Sequence, residues 1–163
     1  MNINEFLKVS KNYEKTLKEF QKKYVVVGIL KENDNVSQGA YAKGVTVVEV
    51  GASHEFGIEH LPKRSFLRVP FNIEKNKINN LIDNEFDKLF NQNKSTLNIS
   101  LNKIGILATN ISKKAFTSSG YGTWQPLSKK TILKKTKGKG GNTQILIDTG
   151  VLRNSISWQV REE

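Results

Sequence analysis

The 163-residue sequence contains no cysteine and only two histidines, His54 and His60. Without thiols the chain has no disulfide, no zinc–thiolate site and no cysteine nucleophile, and two histidines are too few for a histidine-rich metal site. We expect no metal and no other cofactor. No apolar run approaches the roughly 20 residues of a membrane span, and the polar N-terminal segment is unlike a signal peptide. The sequence therefore predicts a soluble protein that is made in the cytoplasm.

Acidic residues are missing from one long segment, residues 88–147, which we call the basic segment. It contains eleven of the 26 basic residues, while the other fifteen equal the fifteen acids in number, so the net charge of +11 comes from this segment alone. Such a block is typical of a surface for nucleic acid or for an acidic protein, and also of a solvated lysine-rich face. The DNA- or partner-facing candidates are Lys129, Lys130, Lys134, Lys135, Lys137 and Lys139.

Apolar residues are sparse as well and make up 37% of the chain. Globular domains usually contain about 45–50% with glycine included. At roughly 150 residues per domain, the length predicts one domain. We expect part of its apolar surface to become buried only in an assembly, because a small core leaves much of the surface uncovered.

Spacings of three and four between apolar residues predict long helices over residues 3–22, 71–91 and 96–117. The last two form either an antiparallel pair or one bent helix. The β-branched run at 24–30 and the alternation at 155–160 predict strands near the two ends of the chain. Residues 45–57 fit a strand or a helix with Thr46 as its N-cap, and we favour the helix.

The predicted fold class is α+β: a small antiparallel sheet of the N- and C-terminal strands, packed against two or three longer helices in a single domain. Its predicted parts are an N-terminal helix over 2–23, a connecting segment and proline-bracketed arm over 45–70, and a basic loop and short helix over 118–144. Pro62 and Pro70 bracket the arm. Pro126 and Ser128 open the short helix, which ends by Gly138.

No group of residues in the sequence points to a catalytic site. His54 and Glu55 are adjacent, so their side chains point about 100° apart on a helix and to opposite faces on a strand. The glycine-rich stretch around Lys139 lacks the GxxxxGK[ST] spacing of a P-loop. The acids of the second long helix alternate with Asn and Lys, which predicts a solvated face. These acids are Asp83, Glu85 and Asp87. We therefore expect a protein that is not an enzyme.

Three stretches of the sequence stand out as motifs. The first combines VGASHEFG at 50–57 with LPKRSFLR at 61–68. The second is PLSKKTILKKTKG at 126–138, and the third is LIDTGVLRNSI at 146–156. In this order they resemble the HEFG, IPxRxFLR, PLSxxTxxxKxxKG and LxDTGxLrxSI signatures of the phage virion-morphogenesis proteins, which include Mu-type tail-completion proteins and lambdoid neck proteins. Together with the early strand, the resemblance spans most of the chain.

The resemblance implies a structural virion protein: a subunit of a ring at the head–tail junction or at the end of the tail tube, in a phage or a phage-derived particle. The implied partners are copies of itself, six or twelve in a ring, and the neighbouring portal- or adaptor-side and tail-side rings. The basic segment then faces packaged DNA in the lumen, an acidic neighbouring ring or solvent, and the sequence leaves all three open. The alternative, which the charge alone supports, is a stand-alone nucleic-acid-binding module.

The motifs also contain candidate interface residues. Arg64 and Arg68 flank an aromatic residue, Phe66, and such mixtures are common at interface hot spots. Aromatic residues also close protein cores, so both roles stay open for Phe66. The third motif predicts a turn in which Asp148 accepts backbone N–H bonds and Gly150 takes a positive φ. The candidate set is Phe56, Arg64, Phe66, Leu67, Arg68, Trp124, Asp148 and Leu152.

Overall fold

Two strands from opposite ends of the chain pair to form the sheet. The structure, a computed structural model, describes residues 2–30, 32, 44–90, 95–137 and 143–163. Strand β1, Lys23–Ile29, runs antiparallel to β2, Ile156–Glu162, with Val25 opposite Val160 and Ile29 opposite Ile156. The predicted α+β class is confirmed, and within the described ranges the sheet has these two strands.

The N-terminal helix α1, Ile3–Lys22, begins where the periodicity predicts and runs directly into β1. The Asn2 side-chain oxygen accepts the Glu5 N–H at 2.8 Å, and the Glu5 carboxylate accepts the Asn2 N–H at 2.9 Å. This reciprocal capping box satisfies two N–H groups that the first turn would otherwise leave unpaired. No residue of α1 is fully buried.

Residues 45–57 form a helix, as predicted. Helix α2, Val47–Phe56, has Thr46 as its N-cap, and Thr46 and Glu49 form a second capping box with N···O distances of 3.2 and 2.7 Å. Val47 and Val50 are both buried. The caps and this burial on one side of the helix outweigh the preference of valine for strands.

The helix predicted over residues 71–91 begins earlier and is interrupted. Helix α3, Arg68–Ile73, and helix α4, Lys75–Phe90, are separated at Glu74, whose φ of −94° and ψ of 17° depart from helical geometry. Pro70 lies in the first turn of α3, where a missing N–H does no harm. The earlier start depends on Glu55, which accepts N–H bonds from the beginning of α3.

Helices α4 and α5, the latter spanning Leu97–Thr117, form an antiparallel pair. Lys103 Nζ donates to the Glu85 carboxylate at 2.9 Å, and Lys114 Nζ donates to Glu74 at 3.3 Å. Because later residues of α5 meet earlier residues of α4, the two run in opposite directions. The alternative of one bent helix is thereby excluded.

Glu85 corrects the prediction of a solvated acidic face on α4. Its side chain is 2% exposed and accepts hydrogen bonds from Lys88, Lys103 and Ser100 at 2.9, 2.9 and 3.2 Å. Burial by itself raises the pKa of this carboxyl, but the bonds from Lys103, Lys88 and Ser100 outweigh burial and hold the pKa below its ordinary 4.5. Asp83 is exposed, as predicted. The local pattern of α4 does not show that α5 covers one side of it.

The main core lies between α5, the arm and the third motif. The rings of Phe66 and Phe116 are 5.4 Å apart, and Trp124 meets Phe116 edge-on at 5.7 Å. Leu152 and Ile156 pack into the same cluster. Burying side chains of this size stabilises the fold by about 1.5–3 kcal/mol each, which makes this cluster the main support of the arm.

Helix α5 packs on both strands of the sheet, and Gly105 lies directly against β2. A Cβ at Gly105 would lie 2.2 Å from Cδ1 of Trp158. The Trp158 Nε1–H also donates to Asn102 Oδ1 at 3.1 Å. The missing side chain of Gly105 therefore provides the space that the indole occupies.

Two short helices complete the described fold. In α6, Lys129–Lys137, the Ser128 hydroxyl accepts the Thr131 N–H at 3.2 Å, as expected for the start of the predicted basic helix. Helix α7, Val151–Asn154, follows Gly150, whose φ is the predicted positive value, 80°. The Val151 N–H in its first turn donates to Thr149 Oγ1 at 3.5 Å. The acceptor is therefore Thr149, and not Asp148 as predicted. None of the described helices is both long and apolar enough to cross a membrane.

Candidate functional site

The three motifs come together around one cleft. The first motif contributes His54 and Arg64, the second Lys135, and the third Asp148. We call this site the basic cleft. It lies between the end of α2, the arm and α6, so stretches that are far apart in the sequence form one surface.

Glu55, in the last turn of α2, holds the arm in place. Its Oε1 accepts bonds from the Ser65 hydroxyl at 2.7 Å, the Arg68 N–H at 3.2 Å and Arg68 Nε at 3.1 Å. Its Oε2 accepts the N–H groups of Phe66 and Leu67 at 2.8 and 3.0 Å. The side chain is 4% exposed. Five donors thus converge on one buried carboxylate.

The protonation of Glu55 follows from these contacts. Burial by itself raises the pKa of the carboxyl, but the bonds from Ser65, Leu67 and Arg68 outweigh burial and keep the pKa below its ordinary 4.5. At neutral pH the carboxylate is charged and its lone pairs are occupied, which suits a positioning role and not that of a base. The sequence pattern singled out Glu55 only as a neighbour of His54 and missed this role.

Arg64 is buried to an unusual degree for a cation. It is 7% exposed, and its Nη2 donates to the carbonyl of Gln125 at 3.3 Å. Its Nε has no hydrogen-bond partner, and no carboxylate forms an ion pair with the guanidinium, among the residues that the structure describes. Burial lowers the pKa of the guanidinium from its very high ordinary value. Arginine is rarely buried unless a carboxylate compensates its charge.

His54 lies beside Arg64 and is partly buried. Burial, followed by the positive charge of Arg64, lowers the pKa of His54 from 6.5 to about 4. Its imidazole is therefore neutral at neutral pH. Its Nδ1 has no hydrogen-bond partner within the described ranges.

Lys135 reaches from α6 to the third motif. Its Nζ donates to the carbonyls of Gln144 and Ile147 at 2.9 and 2.6 Å. The pKa of Lys135 is lowered from its ordinary value, mainly because the side chain is partly buried. The charge of Asp148 opposes this shift, and the charge of Arg64 adds to it. Two cations, Arg64 and Lys135, thus share the basic cleft with one acid, Asp148.

Three of the predicted interface residues belong to the core of the protomer. Phe66 and Leu152 are each 1% exposed. Trp124 is also buried, and its Nε1–H donates to the carbonyl of Ser65 at 3.0 Å. Of the two roles left open for Phe66, closing the core is the one that the structure has. These side chains are not available to a partner, which corrects their prediction as interface residues.

Of the other interface candidates, Arg64 is buried as described above, and the remaining four lie at least partly at the surface. The guanidinium carbon of Arg68 is 4.4 Å from the ring centroid of the exposed Phe56. Leu67 is partly buried against the main core, and Asp148 is exposed. Phe56, Arg68 and Asp148 therefore remain accessible to a partner.

Four of the six predicted basic candidates form an exposed face of α6. They are Lys129, Lys130, Lys134 and Lys137. Lys135 differs from them because it is partly buried and bonded to the chain. Lys139 lies outside the described residues. Within the described residues, the exposed cationic surface of α6 therefore consists of these four lysines.

The apolar stripe of α1 is largely uncovered. Ile3, Phe6, Leu7 and Leu17 are all exposed. Tyr13 stacks on Phe90, and its hydroxyl donates to the Phe90 carbonyl. A helix with one apolar stripe normally buries it, so an uncovered stripe indicates a contact surface.

Among the described residues, no group of three or more His, Asp or Glu side chains is arranged to hold a metal ion. Comparison with protein-family models, with curated proteins and with solved structures finds no match to this chain.

Proposed function

We propose that the protein is a structural subunit of a tailed phage or a phage-derived particle, and that it forms a ring at the head–tail junction or at the end of the tail tube. The observation that carries this proposal is that the three stretches resembling virion-morphogenesis signatures form a single packing unit. A chance likeness in three short stretches would not require them to meet in the fold.

The motif residues have interlocking structural roles. Glu55 of the first stretch accepts the N–H groups that begin its own arm. Trp124, just before the second stretch, donates to Ser65 of the arm. Leu152 of the third stretch packs in the same core as Phe66. Such roles suit a subunit whose work is to keep a defined shape.

The uncovered stripe of α1 supports assembly. Phe6 and Leu7 are both more than 45% exposed, although apolar side chains on a helix usually face a core or a partner. A ring closes through head-to-tail contacts in which each copy offers two different surfaces. In this proposal the α1 stripe is one of those surfaces.

Light scattering of the purified protein, followed by mass measurement of its particle-bound form, tests the proposal. We expect six or twelve copies, and immunogold labelling of purified particles should mark one axial position. Replacing Phe6 and Leu7 with Ser should prevent assembly while the far-UV circular dichroism of the protomer is retained. The matched control makes the same change to Ser at Lys8 and Lys15, which the helical period puts on the opposite side of α1. A monomer in both settings would refute the proposal.

The exposed lysines of α6 favour the second candidate, a stand-alone nucleic-acid-binding module. Duplex DNA attracts such a face through its phosphates, without base readout. A monomer that binds duplex DNA at submicromolar concentration in physiological salt would favour this candidate. A ring that binds DNA only weakly in the same salt would favour the virion subunit.

A further inference from the structure

The basic cleft contains a charge that the described residues do not compensate. Arg64 has five N–H donors, and the described residues supply one acceptor, the carbonyl of Gln125. A buried guanidinium without a carboxylate is costly, because neither water nor a counter-charge replaces its lost hydration. An anion that entered the cleft would relieve this cost.

A second cation, Lys135, lines the same cleft and is close enough to Arg64 for its pKa to be affected. Two of the three Nζ protons of Lys135 are used by the carbonyls of Gln144 and Ile147, which leaves one for a ligand. The neutral His54 adds a ring nitrogen, Nδ1, that has no partner among the described residues. Asp148, the acid of the cleft, is exposed and lies close enough to Lys135 to affect its pKa. The site therefore carries two cations against one acid, and Lys135 keeps one N–H for a ligand.

The remaining wall of the basic cleft is partly apolar, although His60, Gln125, Ser128 and Thr131 also line it. Leu61 and Pro62 come from the arm, Leu127 precedes α6, and Leu146 belongs to the third motif. Contact with the apolar residues adds binding free energy only for an apolar group, so a small free anion gains nothing from them. A ligand that fits both parts carries an anion next to an apolar side chain.

We propose that the basic cleft binds an acidic peptide segment of another protein, with a carboxylate between Arg64 and Lys135 and a neighbouring apolar side chain against Leu61, Pro62 and Leu146. Guanidinium and carboxylate match in geometry, with two parallel N–H···O bonds. Because Arg64 is only 7% exposed, a flexible Glu side chain should reach it more readily than the backbone of a rigid DNA duplex. The inference concerns this cleft alone and goes beyond the proposed virion role.

Two capped dipeptides test the inference, acetyl-Leu-Glu-amide and its neutral counterpart acetyl-Leu-Gln-amide. Binding to the ¹⁵N-labelled protein is followed by the Nε–H signal of Arg64 in two-dimensional NMR. We expect saturable shifts with the Glu peptide and about tenfold weaker binding of the Gln peptide, the ratio expected when a charged hydrogen-bond acceptor is lost. Inorganic phosphate, as a third probe, should bind more weakly than the Glu peptide because it gains nothing from the apolar wall.

Variants of the cleft sharpen the test. Lys135→Gln retains an amide donor for the backbone carbonyls and should weaken the Glu peptide about tenfold. Lys137→Gln, the matched control on the same helix, removes the same charge outside the cleft and should leave binding unchanged. Asp148→Asn should tighten binding, because it removes the competing negative charge.

Three results would overturn the proposal. Equal binding of the Glu and Gln peptides would make the cleft an apolar site with no carboxylate preference. Phosphate binding as tight as that of the Glu peptide would make it a general anion site. Unshifted Arg64 signals with all three probes, in a protein whose spectrum shows it folded, would mean that the cleft is closed to ligands.

Discussion

Replacing Glu55 by Gln removes the charge from the carboxylate that holds the arm and leaves its shape nearly unchanged. The new NH₂ group must occupy one of two oxygen positions. At Oε2 it would face the N–H groups of Phe66 and Leu67, which are fixed main-chain donors. At Oε1 it faces Ser65, whose hydroxyl can turn to accept, and Arg68, whose side chain is 56% exposed and can reach water. The orientation with the NH₂ group at the Oε1 position therefore costs less free energy.

Even in that orientation the Arg68 N–H is left without an acceptor. A stranded buried donor costs about 1–3 kcal/mol, and the bonds that survive lose the strengthening that an ionised acceptor provides, about 1 kcal/mol each. With the two surviving bonds from Phe66 and Leu67, we therefore expect Glu55→Gln to lower the free energy of unfolding by roughly 3–5 kcal/mol at neutral pH. For a domain whose total stability is about 5–15 kcal/mol, this is a large fraction.

Urea unfolding followed by far-UV circular dichroism measures this loss, with Glu59→Gln as the control. Glu59 is fully exposed, so the same charge change there should stay within about 0.5 kcal/mol of wild type. Because the pKa of Glu55 is lowered in the folded state, its stabilisation is present above the ordinary pKa of 4.5 and is lost as pH falls through the lowered value. The difference between Glu55→Gln and wild type should therefore shrink as the pH falls below 4.5. If Glu55→Gln and Glu59→Gln unfold alike at neutral pH, the carboxylate does not hold the arm.

Further substitutions test the other structural conclusions. Glu85→Gln should lower the free energy of unfolding by about 1–3 kcal/mol, and the loss stays in this range because the lysine partners can turn to water. Asp83→Asn on the exposed side of α4 is the control, and equal losses in the two variants would contradict the burial of Glu85. Gly105→Leu should lower the urea midpoint, because displacing the Trp158 indole costs about 1–3 kcal/mol or more and outweighs the gain in helix propensity of about 1 kcal/mol; a raised midpoint would mean that the indole can move freely. Reversing the charge of the exposed α6 lysines should keep the free energy of unfolding within about 0.5 kcal/mol of wild type, as measured by thermal melts, and a larger loss would show that this face takes part in folding. The residues changed to Glu are Lys129, Lys130, Lys134 and Lys137.

Local patterns in the sequence were sufficient for most of the secondary structure. The apolar period marks α1 and α5, and Thr46 marks the start of α2. The break at Glu74 could not be predicted, because glutamate is a good helix former and nothing near it in the sequence interrupts the period. It arises where α3, whose start is held by Glu55, joins the longer α4.

By itself, the sequence determined the elements, the α+β class with a sheet of the chain's two ends, the lack of thiol chemistry and the site of the excess charge. These properties depend on composition and on spacing over a few residues. Only the tertiary structure decided which charged side chains are buried and what they contact. Glu85 is buried by residues of the next helix, and Arg64 is enclosed beside Gln125, which lies 61 residues further along the sequence. The burial of a charge depends on such long-range neighbours, and the period of its own helix or loop carries no information about them.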